Sequence, residues 1–127
     1  MIQKQTLLTV VDNSGGKIVR CIHILKKGKK PRHGQIGDVI VCSVQQIRKK
    51  NKLTSKVKKG DVLYGVIVKT SSFLKRCSGL SFCFSKNAVV LLSKQFKPLA
   101  TRVFGVIPGE LRNKKFTKII SLSSGLL

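Results

Sequence analysis

The sequence predicts a mainly β fold: a small sheet or barrel of five strands that carries a hairpin and ends in one or two short helices. Three observations lead there. Over the first hundred residues, short runs rich in Val, Ile, Leu and Thr are broken by clusters of Gly, Asn, Asp and Ser, as in small all-β domains. The chain has 127 residues, one domain's length, and 42% of them are hydrophobic, which suffices for a modest core and is too apolar for a disordered basic tail. After Pro98 the texture changes to short extended and helical pieces.

Thr6–Val11 reads as the first strand. Asp12-Asn13-Ser14-Gly15-Gly16 is a turn, because Asn and Gly tolerate positive φ and Asp and Ser bond their own backbone. Lys17–Leu25, Asp38–Val44, Val62–Lys69 and Asn87–Leu92 are the next four strands, with basic loops over 26–35 and 49–59. Between the last two, Phe73–Phe84 reads as a hairpin with Ser78-Gly79 at its tip. Gly37-Asp38-Val39-Ile40 is echoed by Gly60-Asp61-Val62-Leu63; each time Gly-Asp closes a basic loop and opens an apolar strand, so these aspartates read as turn residues rather than catalytic groups. Thr101–Gly105 is a last extended piece. Pro108 and Glu110 then suit a helix start, with Leu111, Phe116, Ile119, Ile120 and Leu122 as its apolar stripe and Lys114, Lys115 and Lys118 in solvent. The expected organisation is one domain over 1–127, with the β portion at 1–105 and short helices in 106–127.

Twenty-six Lys and Arg against four Asp and Glu give a net charge of +22. A compact domain so charged repels itself unless a polyanion neutralises it, and phosphate backbones are the commonest polyanion in cells. The cations form clusters at 26–32, 48–52, 56–59 and 112–118 rather than one amphipathic helix, which favours nucleic acid over a membrane surface. No apolar run approaches a membrane span. Asp12, Asp38, Asp61 and Glu110 are scattered, so carboxylate catalysis and a metal cluster are not expected, nor is any cofactor. Cys21, Cys42, Cys77 and Cys83 form no metal-binding spacing. Cys21 and Cys42 read as core residues, and with no secretory signal Cys77 and Cys83 read as reduced thiols, although a bridge across the hairpin is conceivable.

Several motifs in order resemble one family. They are Met1-Ile2-Gln3 with Val11–Gly15; Val57–Val62; Gly65–Val68 followed by Ser78-Gly79, Phe84, Asn87, Val90 and Leu91; Thr101–Gly105; and Glu110–Arg112 with Phe116, Lys118 and Ile119. Together they are similar to the large-subunit ribosomal protein L-fourteen family, nearly end to end. The resemblance implies a five-stranded β-barrel with a projecting β-hairpin and short C-terminal helices. It implies a structural constituent of the large ribosomal subunit that binds its rRNA, lies at the intersubunit face, touches neighbouring large-subunit proteins and bridges to small-subunit rRNA. It also implies that a ribosome-silencing factor docks on the face matched by Thr101, Arg102 and Lys118. Ser78, Ser85, Lys94–Lys97 and Ser123–Gly125 depart from the family pattern and raise the positive charge, which favours an organellar, mitochondrial ribosome over a bacterial one.

On this reading rRNA is held by charge and shape, because A-form RNA hides its base edges. The expected rRNA contacts are Lys17, Arg20, Arg32, Arg48, Lys49, Lys50, Lys52, Lys56, Lys58, Lys59 and Lys69, with the planar arginines setting geometry. The expected intersubunit and factor face is Thr101, Arg102, Arg112, Lys114, Lys115 and Lys118. His23 reads as half-buried in its strand, and His33, between Arg32 and Gly34 in a basic loop, is a candidate to stack on a base. Phe73, Phe82 and Phe84 are expected to hold the hairpin together. The rival is a free-standing basic module of the OB type acting on single strands, which calls for exposed aromatics on one sheet face.

Overall fold

The computed structural model describes residues 1–25, 33–48 and 55–127. The strands are β1 (Leu7–Val10), β2 (Gly16–Leu25), β3 (Val39–Ile47), β4 (Val62–Lys69), β5 (Leu74–Lys75), β6 (Ser81–Phe82), β7 (Ala88–Leu92), β8 (Val103–Ile107) and β9 (Ser123–Leu126). A 3-10 turn, Gly109–Leu111, and one short helix, α1 (Thr117–Ser121), precede β9. β1, β2, β3, β4 and β7 close a barrel in chain order. Five strands running alternately up and down cannot close with every neighbour antiparallel. The seam is the parallel pair β1 and β7, with Thr9 beside Ala88 and Val10 beside Val89. This meander order differs from the Greek-key path of an OB barrel.

Alternation decides what each strand buries. Leu8, Val10, Val19, Cys21, Ile40, Cys42, Val44, Ile67, Val89 and Leu91 pack within one cluster. The opposite faces of β4 and β7 are covered too: Val66, Val68, Val90 and Leu92 pack with Val103, Ile107, Leu111 and Ile119. Hence Ala88–Leu92 is an unbroken apolar run with every residue buried, the signature of a strand covered on both sides. The stripe predicted on the C-terminal segment is real: Leu111 and Ile119 are fully buried, with Phe116, Ile120 and Leu122 packed beside them.

The Gly-Asp echo is one turn built twice. Asp38 Oδ2 accepts the Gln35 N–H at 2.9 Å, and Asp61 Oδ2 accepts the Lys58 N–H at 2.8 Å. Gly37 and Gly60, at φ +82° and +92°, each donate to the strand opposite, Ile67 and Val44, whose own N–H groups return to the Asp38 and Asp61 carbonyls.

Four expectations are corrected. His23 is exposed: a bulge between Cys21 and His23 in the pairing with β3 turns both Ile22 and His23 outward. The extended piece expected at Thr101–Gly105 begins two residues later, at Val103. The 106–127 segment is not only helical: β8 continues to Ile107 and β9 pairs with it in parallel, although Ser123-Ser124-Gly125 carries no strand signal. Phe73 is 73% exposed, whereas Phe82 and Phe84 meet edge to face at 5.8 Å. The hairpin tip is as expected, Arg76 N–H to Leu80 and Gly79 N–H to Arg76, with Gly79 at φ +81°. Cys77 lies in the hairpin tip and Cys83 just beyond β6, and both thiols are free and exposed rather than bridged.

Candidate nucleic-acid interface

Asp12 organises the first part of the surface. Its buried carboxylate accepts the Ser14 N–H at 2.9 Å, the Ser14 hydroxyl, and the Leu91 N–H of β7 at 2.8 Å. The turn is thereby pinned over the parallel seam. The next residue, Asn13, reaches across to the two residues that lead into β8. Its Oδ1 accepts the Thr101 and Arg102 N–H groups at 3.1 and 3.3 Å, and its Nδ2 donates to the Thr101 hydroxyl at 2.9 Å. Phe104 N–H donates to the Val11 carbonyl at 2.7 Å. These bonds place the Phe104 ring, 40% exposed, within reach of two guanidiniums: Arg48 at 5.5 Å and Arg102 at 5.9 Å from its centroid. Arg48 is oriented from behind, its Nη2 donating to the Val10 carbonyl at 2.9 Å and its N–H to Gly15. Arg48 and Arg102, expected on two different surfaces, therefore share one aromatic platform. Phe104 and Asn13 were not among the expected site residues; the only signal in the sequence was the position of Phe104 two residues after Arg102.

The other cations group as follows. Lys17 and Arg20 point outward from β2. Arg20 lies beside Ser43, and Ser43 beside Val62, so Arg20 is level with the exposed Lys58-Lys59 turn that leads into β4. Lys56 is exposed, with its Nζ on the Leu99 carbonyl at 2.9 Å. Arg112, Lys114, Lys115 and Lys118 are exposed on the C-terminal segment. Lys115 and Lys118 share with Lys97, Phe96 and Phe116 a groove of about 240 Å³. Lys114 Nζ lies 3.9 Å from Asp38 Oδ1. His33 is half-buried, its Nδ1 3.3 Å from the Gln3 amide nitrogen. Arg32, Lys49, Lys50 and Lys52 lie outside the described residues.

Electrostatics is dominated by what the four carboxylates do. Asp12 and Asp61 accept backbone N–H groups, Asp38 accepts a backbone N–H and faces Lys114, and Glu110 binds Arg76. With acids so few, cations settle on aromatic faces instead: Arg48 and Arg102 on Phe104, Lys69 on Phe84, Arg76 on Phe82 at 4.5 Å. Burial lowers the pKa of Lys69. Burial likewise raises the Cys42 thiol to about 12. Among the described residues no group of three or more His, Cys, Asp or Glu is placed to hold a metal ion. What the surface can do is present many unneutralised cations and one arginine-flanked ring to a polyanion.

Compared with known protein families, the chain matches the family model of ribosomal protein L14p/L23e over residues 1–127.

Proposed function

The chain belongs to the ribosomal protein L14p/L23e family, a structural constituent of the large ribosomal subunit, and we propose that it is held there by large-subunit rRNA packed on its cationic surface. The charge balance carries this reading: the net charge is +22, and all four acids serve internal turns or ion pairs. The remaining cations need anions from outside, and rRNA phosphates supply them. Lys17, Arg20, Arg48, Lys56, Lys58, Lys59 and Lys69 are the assigned contacts from the described residues, joined by Arg32, Lys49, Lys50 and Lys52 from the sequence.

The Thr101–Arg102 edge and the C-terminal cations Arg112, Lys114, Lys115 and Lys118 face the small subunit and bridge to its rRNA. Support comes from the rigid backbone clamp that Asn13 places behind Thr101 and Arg102, since a bridge needs a preset surface. A ribosome-silencing factor, binding at Thr101, Arg102 and Lys118, would compete for that edge. Phe73 and Leu80, 73% and 66% exposed on the hairpin, suit a neighbouring large-subunit protein. The ribosome is a mitochondrial one; support is the added cations at Lys94 and Lys97.

Co-sedimentation tests the assignment. A tagged chain expressed in its own cells travels with the large subunit through moderate salt, and with the organelle fraction. A chain found free, or bound only to single-stranded RNA, contradicts it.

A further inference from the structure

We infer that Lys69 and Phe84 form a built site for one phosphodiester of RNA, with its ribose on an apolar floor. This rests on the rRNA reading above and deepens it. Lys69 ends β4 where pairing with β7 slips between Ile67 and Lys69, a bulge that re-aims the side chain. Its ammonium sits 5.5 Å from the Phe84 ring centroid. Gly105, at φ +77°, approaches the ammonium closely: a Cβ there would stand 3.1 Å from Lys69 Nζ. Gly105 falls within the register shift of the β8–β9 pair, so two irregularities converge on one nitrogen.

The space in front is a cavity of about 210 Å³. Val11, Phe84 and Ala88 form its apolar part, and Lys69, Lys86 and Ser85 its polar part. Two ammoniums and a hydroxyl suit a phosphodiester and a 2′-hydroxyl, and the floor suits the sugar's C–H face. A counter-ion from the chain itself is not on offer. Each of the four carboxylates is held elsewhere, and the ammonium of Lys69 lies against the Phe84 ring and close to the Gly105 backbone. Half-burying a cation without an anion is costly, and desolvation already depresses its pKa, which external phosphate would relieve.

The test is an NMR titration of the full chain, following the Lys69 side chain and the Phe84 ring, with pentauridylate, inorganic phosphate and pentaglutamate as separate probes. The site predicts that both signals shift together with pentauridylate, and with phosphate at higher concentration, and that Lys69→Gln abolishes the Phe84 response while the rest of the spectrum stays folded. In rRNA binding, Lys69→Gln lowers the log–log salt slope by about 0.7. Shifts at other cations with none at Lys69 and Phe84 overturn this site and leave the rRNA reading standing. A response to pentaglutamate without one to phosphate overturns the ligand class. Silence of the whole chain toward pentauridylate and rRNA overturns both readings.

Discussion

Arg76 in the hairpin and Glu110 in the 3-10 turn form a two-pronged ion pair, Nε to Oε1 at 2.6 Å and Nη2 to Oε2 at 3.1 Å. The same Nη2 donates to the Leu127 carbonyl at 2.7 Å, and the guanidinium lies over Phe82. One arginine thus ties a two-residue sheet, too small to stand alone, to the C-terminal segment.

The hydrogen bonds from Arg76 hold the Glu110 carboxyl below its ordinary 4.5. A carboxylate whose pKa is depressed on folding contributes stability above the ordinary value and loses it as pH falls toward the folded pKa. Amide exchange in Leu74–Phe82 is expected to quicken as the pH is lowered below 4.5, relative to β3. In Arg76→Ala the hairpin exchanges fast at every pH, and that extra pH dependence disappears.

Removing the Asp12 carboxylate should damage the fold rather than RNA contact. Asp12→Ala leaves the buried Leu91 N–H without its acceptor and frees the turn from the seam. The expected cost is about 2–4 kcal/mol, a large share of a small domain's stability. Denaturant midpoints measure it. The salt slope of RNA binding by the fraction that remains folded should not change.

Thiol labelling separates the cysteines in pairs. Cys21 and Cys42 face each other across β2 and β3, fully buried, and burial raises the pKa of both. Cys77 and Cys83 are exposed. At neutral pH a maleimide should modify Cys77 and Cys83 quickly, and the other two only at the rate of unfolding.

Charge reversal at Arg102 tests the intersubunit edge. Arg102→Glu puts a carboxylate beside Phe104 and Arg48 while leaving the Asn13 clamp on its backbone intact. Subunit joining is expected to weaken by about tenfold, ~1.4 kcal/mol, with incorporation into the large subunit little changed. Equal loss of both would make Arg102 a purely structural residue.

Much of this was legible because local chemistry dictated it. The Gly-Asp turns, the apolar runs of β4 and β7 and the stripe at Leu111 and Ile119 follow from φ preferences and periodicity. Two of the corrections share a cause that no single run of residues displays. His23 is turned out by a bulge, which depends on the partner strand. β9 exists because β8 offers it an edge, and Ser123-Ser124-Gly125 would not form a strand alone. The Phe104 platform needs Asn13, Arg48 and Arg102 from three distant stretches, and sequence reading ranked the arginines without their shared ring.

The central claim is that this charge is neutralised by rRNA phosphates, and salt dependence measures it most directly. Binding of the full chain to its cognate large-subunit rRNA segment should fall linearly in log–log form. Six or more phosphate contacts predict a slope steeper than about −4. A slope near zero, with binding intact at high salt, would contradict the account.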